Sequence, residues 1–180
     1  QFLRGYEVLS VESSRKASLH SVNIDGGLPS LIQLFDQSWR GQESASSLLS
    51  KWDVLRSQNN DPLIEIGYLI AARFLLRPDK LLSAVREARA QHGDWVTLLS
   101  IELYALEQLD QDEEMLAVVD NGLPLFPERT ELLVVRGRTQ YRLGKQKGAE
   151  LTLKDAQKKD TTLIAATSLL GTLYIEQNKE

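Results

Sequence analysis

Apolar positions in this chain recur three and four residues apart, the spacing that lines one face of a helix, and glycine, proline and short polar runs interrupt them at intervals. The clearest stretch is Glu131 to Asp160, ELLVVRGRTQYRLGKQKGAELTLKDAQKKD. It offers an apolar helix start with a small residue at Gly137, a break at Gly144, then a second helix with Ala149 and Ala156 seven apart. Two helices folded back on a glycine turn, with small residues where they cross, form a helical hairpin.

The same reading extends along the chain. Residues 1–27 allow two interpretations. Tyr6, Val8, Leu9 and Val11 fit a strand paired with Leu19, Val22 and Ile24. Phe2, Leu3, Tyr6 and Leu9 fit one face of a degenerate helical hairpin, which suits the helical context that follows. Asp25, Gly26 and Gly27 end this segment. Pro29 opens a helix through Leu31, Leu34, Phe35 and Trp39, and residues 43–57 return with Leu48, Leu49, Trp52 and Leu55 facing inward. Asp61-Pro62 is a strong start signal, a capping acceptor followed by proline in the first turn. The predicted helix carries Leu63, Ile66, Leu69, Ile70 and Phe74 and breaks at Arg77-Pro78-Asp79. Its return helix holds Leu81, Leu82, Val85 and Ala88, and ends at Gly93-Asp94. The next hairpin pairs Leu98, Leu99, Leu103 and Leu106 with Met115 and Val119 across the break Asp110-Gln111-Asp112. Gly122 and Pro124 stop its second helix near Asn121, since an interior proline costs about 3 kcal/mol. Leu163 to Ile175 forms one more helix.

A fixed spacing runs through these elements. Val96, Thr130 and Ile164 are equivalent positions 34 residues apart, and the same step backwards reaches Pro62 and Leu28. A helix–turn–helix unit repeating every ~34 residues resembles the tetratricopeptide repeat family. Gly137 and Gly171 stand at its small-residue position in the first helix, Tyr174 at its aromatic, Gly144 at its inter-helix turn, and Ala149 and Ala156 at the small sites of the second helix. Leu69 and Leu103 depart from that small-residue pattern, as do Met115 and Gly122 in the second helix of their unit. The expected fold is therefore all-α, an α-solenoid of antiparallel helix pairs with about four repeats and an unpaired last helix. Its units fall near 28–61, 62–95, 96–129, 130–163 and a partial 164–180, after an N-terminal segment 1–27.

The resemblance also implies where a partner binds, because the first helices of such repeats line a concave groove. The residues it places there are Ile66, Ile70, Arg73, Phe74, Ser100, Tyr104, Glu107, Val134, Arg138, Tyr141 and Arg142. Apolar, aromatic and guanidinium surface of this kind suits a peptide or a partner helix. The lysine and asparagine clamp with which some members grip acidic chaperone tails is not matched: Ile66, Ser100 and Val134 stand at its lysine positions and Ile70, Tyr104 and Arg138 at its asparagine positions.

Composition narrows the functional classes. Across 180 residues the chain is 42% hydrophobic and 26% charged, globular averages that indicate neither wholesale disorder nor a membrane bundle. No apolar run approaches the roughly 20 residues of a membrane span. A net charge of −4 gives no reason to expect nucleic acid as the main partner. Cysteine is absent, which removes disulfides and thiolate metal sites but fits a cytoplasmic or a periplasmic setting equally. The chain starts at Gln1 and not Met, as expected of a processed product or an excised piece. Charge is uneven: residues 96–129 are strongly acidic and residues 130–163 basic, an arrangement that steers a partner if it is not merely solvated.

Signs of catalysis are weak. His20 and His92 lie in separate segments, and His92 sits at a predicted helix end where it favours the C-terminal dipole. No HExxH, GxSxG or phosphate-binding loop occurs, and Asp110, Asp112 and Glu114 lack the remaining ligands of a calcium loop. No cofactor, metal site or enzyme activity is expected. The expected role is a scaffold or adaptor that binds a peptide or partner protein. The alternatives are a homo-oligomerisation module, through the apolar face of the unpaired helix, or a regulatory domain of a larger membrane-anchored or enzymatic protein.

Overall fold

The structure is a computed structural model that describes residues 45–58 and 61–177. The predicted N-terminal hairpin or strand pair and the helix opened by Pro29 lie outside the described residues. Among the described residues there are eight helices and no strand: α1 (Ala45–Gln58), α2 (Pro62–Leu75), α3 (Pro78–His92), α4 (Val96–Gln108), α5 (Asp112–Gly122), α6 (Glu131–Arg142), α7 (Gln146–Lys159) and α8 (Ile164–Gln177). The starts of α2, α4, α6 and α8 at Pro62, Val96, Glu131 and Ile164 keep the 34-residue spacing to within one residue. The chain divides within α4, after Ala105, into two compact units.

In the first unit, local chemistry sets the helix ends. Asp61 caps α2 by accepting from the Leu63 N–H at 2.8 Å, and Pro62 follows where a missing N–H costs nothing. Pro78 likewise stands in the first turn of α3, where Arg77 before it makes no side-chain cap. Helix α2 packs on α1 and on α3 and buries an unbroken run from Ile64 to Leu69. Trp52 of α1 is wholly buried. Two ionic links bind neighbouring helices. Arg56 of α1 donates to both carboxylate oxygens of Glu65 on α2, at 2.6 and 2.9 Å, and lies 4.0 Å over the Tyr68 ring. Burial alone would lower the Arg56 pKa, but the bonds to Glu65 outweigh it and raise the value. On α4, buried Glu102 accepts from Arg86 and Arg89 of α3. Taking that carboxylate out of water is costly unless its charge is answered, and the two guanidiniums answer it.

In the second unit, α6 and α7 form the hairpin that the sequence predicts, with α5 packed on α6 and α8 on α7. The turn is closed by Lys145 N–H to Gln140 C=O at 2.8 Å and Gly144 N–H to Tyr141 C=O at 2.9 Å. That pair of bonds requires a left-handed residue, and Gly144 takes it at φ 70° without strain. One period earlier Asp110 occupies the same place at φ 53°, with Gln111 N–H on Leu106 C=O and Asp110 N–H on Glu107 C=O. Aspartate tolerates this conformation better than most residues. The helices cross at Gly137, where an added Cβ would lie 2.6 Å from Leu153 Cγ. Ala149, Leu153 and Ala156 of α7 are wholly buried and join Leu133, Val134, Ala166, Leu170 and Leu173 in one core cluster. Thr152 donates to the Gln140 side chain at 2.8 Å inside the crossing, so that its buried hydroxyl is satisfied.

Candidate functional site

The residues expected to line a partner-binding surface separate into three groups. Ile66 and Val134 are core residues, 5% and 1% exposed, and present almost nothing to a ligand. Helices α2 and α6 are buried around most of their circumference, so positions that a helical wheel assigns to a groove also serve packing.

The second group belongs to the first unit. Ile70, Arg73, Ser100 and Tyr104 are half-buried and Phe74 is 50% exposed. The helical turn of α2 places Arg73 beside its neighbour Phe74, and α4 supplies Tyr104. The Arg73 guanidinium carbon lies 4.6 Å from the Phe74 ring centre and 5.0 Å from that of Tyr104. Both are cation–π distances. Burial lowers the Arg73 pKa, an effect that Tyr104 opposes, and the group stays cationic at any ordinary pH. Ser100 turns its hydroxyl inward, donating to Val96 C=O at 2.8 Å on its own helix. The patch therefore consists of a partly desolvated cation framed by two rings beside the aliphatic Ile70.

The third group belongs to the second unit and is ionic. Arg138 donates to Glu107 at 2.8 Å, and Arg142 reaches Asp110 at 2.8 Å and Asp112 at 3.0 Å. Arg136 pairs with Asp120 at 2.7 Å. Tyr141 donates its hydroxyl to Glu176 at 2.6 Å, and this bond pushes the phenol pKa above its usual value. Part of the uneven charge of the sequence is thus resolved within the chain, since the three arginines of α6 meet acids at the end of α4, in the turn after it and in α5. Asp110 and Asp112, read from sequence as a helix break in an acidic stretch that lacks the ligands of a calcium loop, turn out to hold Arg142. Their signal is the offset: Arg142–Asp110 and Tyr141–Glu176 join residues 32 and 35 apart, close to one repeat.

His92 ends α3, where its C=O accepts from the Trp95 ring N–H at 3.1 Å, and His20 lies outside the described residues. Among the described residues no group of three or more histidine, aspartate or glutamate side chains could hold a metal ion, and no helix is long and apolar enough to cross a membrane.

No family model matches the sequence, and no curated protein matches it significantly. Solved structures do. MamA from Desulfovibrio magneticus RS-1 superposes with a TM-score of 0.67 at 14% identity, over 82% of this chain and 85% of that one. A MamA RS-1 double mutant gives the same TM-score at 13% identity and the same coverage. A tetratricopeptide repeat protein from Parabacteroides merdae also gives 0.67, at 16% identity, over 83% of this chain and 62% of that one. At these identities the likeness shows the fold and nothing finer: this is an all-α helical-repeat protein of the tetratricopeptide-like type.

Proposed function

We propose that this chain is a protein-interaction scaffold, without catalytic activity of its own, that binds a peptide or partner protein through the exposed faces of its first-of-pair helices. The observation that carries this reading is the Arg73 cluster, in which a half-exposed phenylalanine and a tyrosine frame a guanidinium. Arginine and tyrosine are among the types most enriched in residues that dominate binding energy, and aromatic rings bury large area with few rotamers to freeze. Ile70 extends the patch with aliphatic surface. Arg138, Arg142, Glu107 and Tyr141 act as a polar surface of the second unit whose geometry is already set by internal ion pairs. Ser100 stays in the proposal as a spacer beside Tyr104, while Ile66 and Val134 act only from beneath. The division into units at 62–95, 96–129, 130–163 and 164–180 is part of the same reading, since each then contributes one such helix face.

The test compares proteins captured by wild type and by Phe74→Ser, with melting curves showing that both are folded. Truncating a central interface aromatic costs roughly 2 kcal/mol, about thirtyfold in affinity, so a specific partner should be depleted from the variant. Equal recovery of the same proteins by both would overturn this assignment.

A further inference from the structure

Helix α8 reads IAATSLLGTLYIEQ and has no charged residue before Glu176. Ala166, Leu170 and Leu173 are buried in the core of the second unit. The opposite side carries Ile164, Ser168, Gly171 and Ile175, which fall on one face because they are three or four residues apart. Ile164 is 81% exposed and Ile175 60%. A Cβ added at Gly171 would meet nothing within 4 Å. A surface helix ordinarily turns charged residues outward, whereas this side exposes two isoleucines with only small or hydroxyl side chains between them.

We propose that this outer face of α8 is a two-fold interface, pairing antiparallel with α8 of a second copy of the chain. Two properties select that occupant. First, the stripe reads the same in both directions: isoleucine, a step of four to a small residue, three to another, four to isoleucine. A two-fold axis between Ser168 and Gly171 sets Ile164 of one copy on Ile175 of the other, and Ser168 on Gly171. Self-complementarity of this kind is what an isologous contact requires. The small central pair lets two helix axes approach closely while the isoleucines close the ends. Second, the ends of α8 differ in charge. Lys158 and Lys159 in the last turn of α7 lead into its start, Lys159 also pairing with Asp155 at 3.6 Å, and Glu176, which accepts from Tyr141, lies in its last turn. Nearby Asp160 is engaged locally by Thr162. Antiparallel pairing brings the Glu176 end of one copy to the lysine end of the other and opposes the two helix dipoles, whereas parallel pairing sets like with like.

The chain contains no cysteine, so single cysteines report on this geometry without background. Full chains carrying Ser168→Cys are mixed with full chains carrying Gly171→Cys under mild oxidation. The mixture should form the mixed disulfide several-fold faster than one in which both partners carry Leu151→Cys, a position 70% exposed on α7. Light scattering should show a dimer at high protein concentration, and Ile164→Lys or Ile175→Lys should return it to a monomer with unchanged helix content. A monomer at every concentration means that the face is solvated or covered by something other than a second copy. That result overturns the proposal, as does a dimer insensitive to both isoleucine variants or a crosslink no faster than the α7 control. None of these outcomes bears on the Arg73 patch.

Discussion

Gly137 and Gly171 occupy the same place in successive first helices, one 34-residue period apart, and their surroundings are opposite. At Gly137 an added Cβ would stand 2.6 and 2.7 Å from two carbons of Leu153 and 3.5 Å from the Ala149 carbonyl. At Gly171 it would meet nothing within 4 Å. Glycine inside a helix costs roughly 1 kcal/mol relative to alanine, so the residue stabilises nothing by itself. On α6 that cost is offset by the close approach of α7, which seats Leu153 over the missing side chain. On α8 the described residues provide no offset. A small residue in a repeat therefore marks a place reserved for a neighbouring helix, whether or not the neighbour is there. The comparison gives the outer face of α8 its interest: it has the small centre of a crossing and the exposed apolar ends of one.

The largest test of this contrast removes the side chain that fills the closed site. Leu153 is fully buried. Because Gly137 has no atoms with which to refill the space, Leu153→Ala should cost about 2–5 kcal/mol in chemical denaturation. Ile175→Ala, on the open site, should change the stability of the dilute monomer by no more than about 0.5 kcal/mol. Equal losses at the two positions would mean that α8 is as enclosed as α7. Overfilling the closed site is the next test. Ala149 is wholly buried beside the crossing, and Ala149→Trp should cost about 1–3 kcal/mol or loosen the hairpin. Unchanged stability would remove Ala149 from the crossing.

The parts of this fold that sequence makes legible are those decided by one residue and its near neighbours. Asp61-Pro62 announces α2, Gly144 announces the turn of the closed hairpin, and Ala149 and Ala156 announce the buried side of α7. Each rests on backbone conformation or side-chain size, which the residue type carries with it. The candidate site was legible only in outline. Arg138 and Arg142 read from sequence as surface guanidiniums that a partner could use, but folding gives them Glu107, Asp110 and Asp112. That outcome depends on which helices become neighbours and at what depth they meet, and hydrophobic spacing along one helix holds neither. Ile66 and Val134 illustrate the same limit. The repeat pattern fixes the helix they sit on, whereas their burial depends on how much of that helix its neighbours cover. Buried Glu102, bridging Arg86 and Arg89, carried no signal beyond being an acid in an otherwise apolar run.

The smallest substitution gives the sharpest form of the comparison, because it predicts opposite signs for one chemical change. Gly137→Ala adds a single methyl group where the fully buried Leu153 already lies at less than a contact distance. The expected cost is about 1–3 kcal/mol, less whatever alanine gains as a better helix former. Gly171→Ala adds the same methyl to open space. The gain in helix propensity and the reduced freedom of the unfolded chain should then appear undiluted, raising stability by about 0.4–1 kcal/mol in dilute protein. Combining Gly137→Ala with Leu153→Ala separates packing from propensity, since the new methyl then enters the space that the leucine left. The double variant should be less destabilised than the sum of the singles, by about 0.5–3 kcal/mol for residues in direct contact. Strict additivity would mean that Gly137 and Leu153 do not meet. A loss of stability at Gly171 as well would mean that the open face of α8 is already filled in the dilute chain.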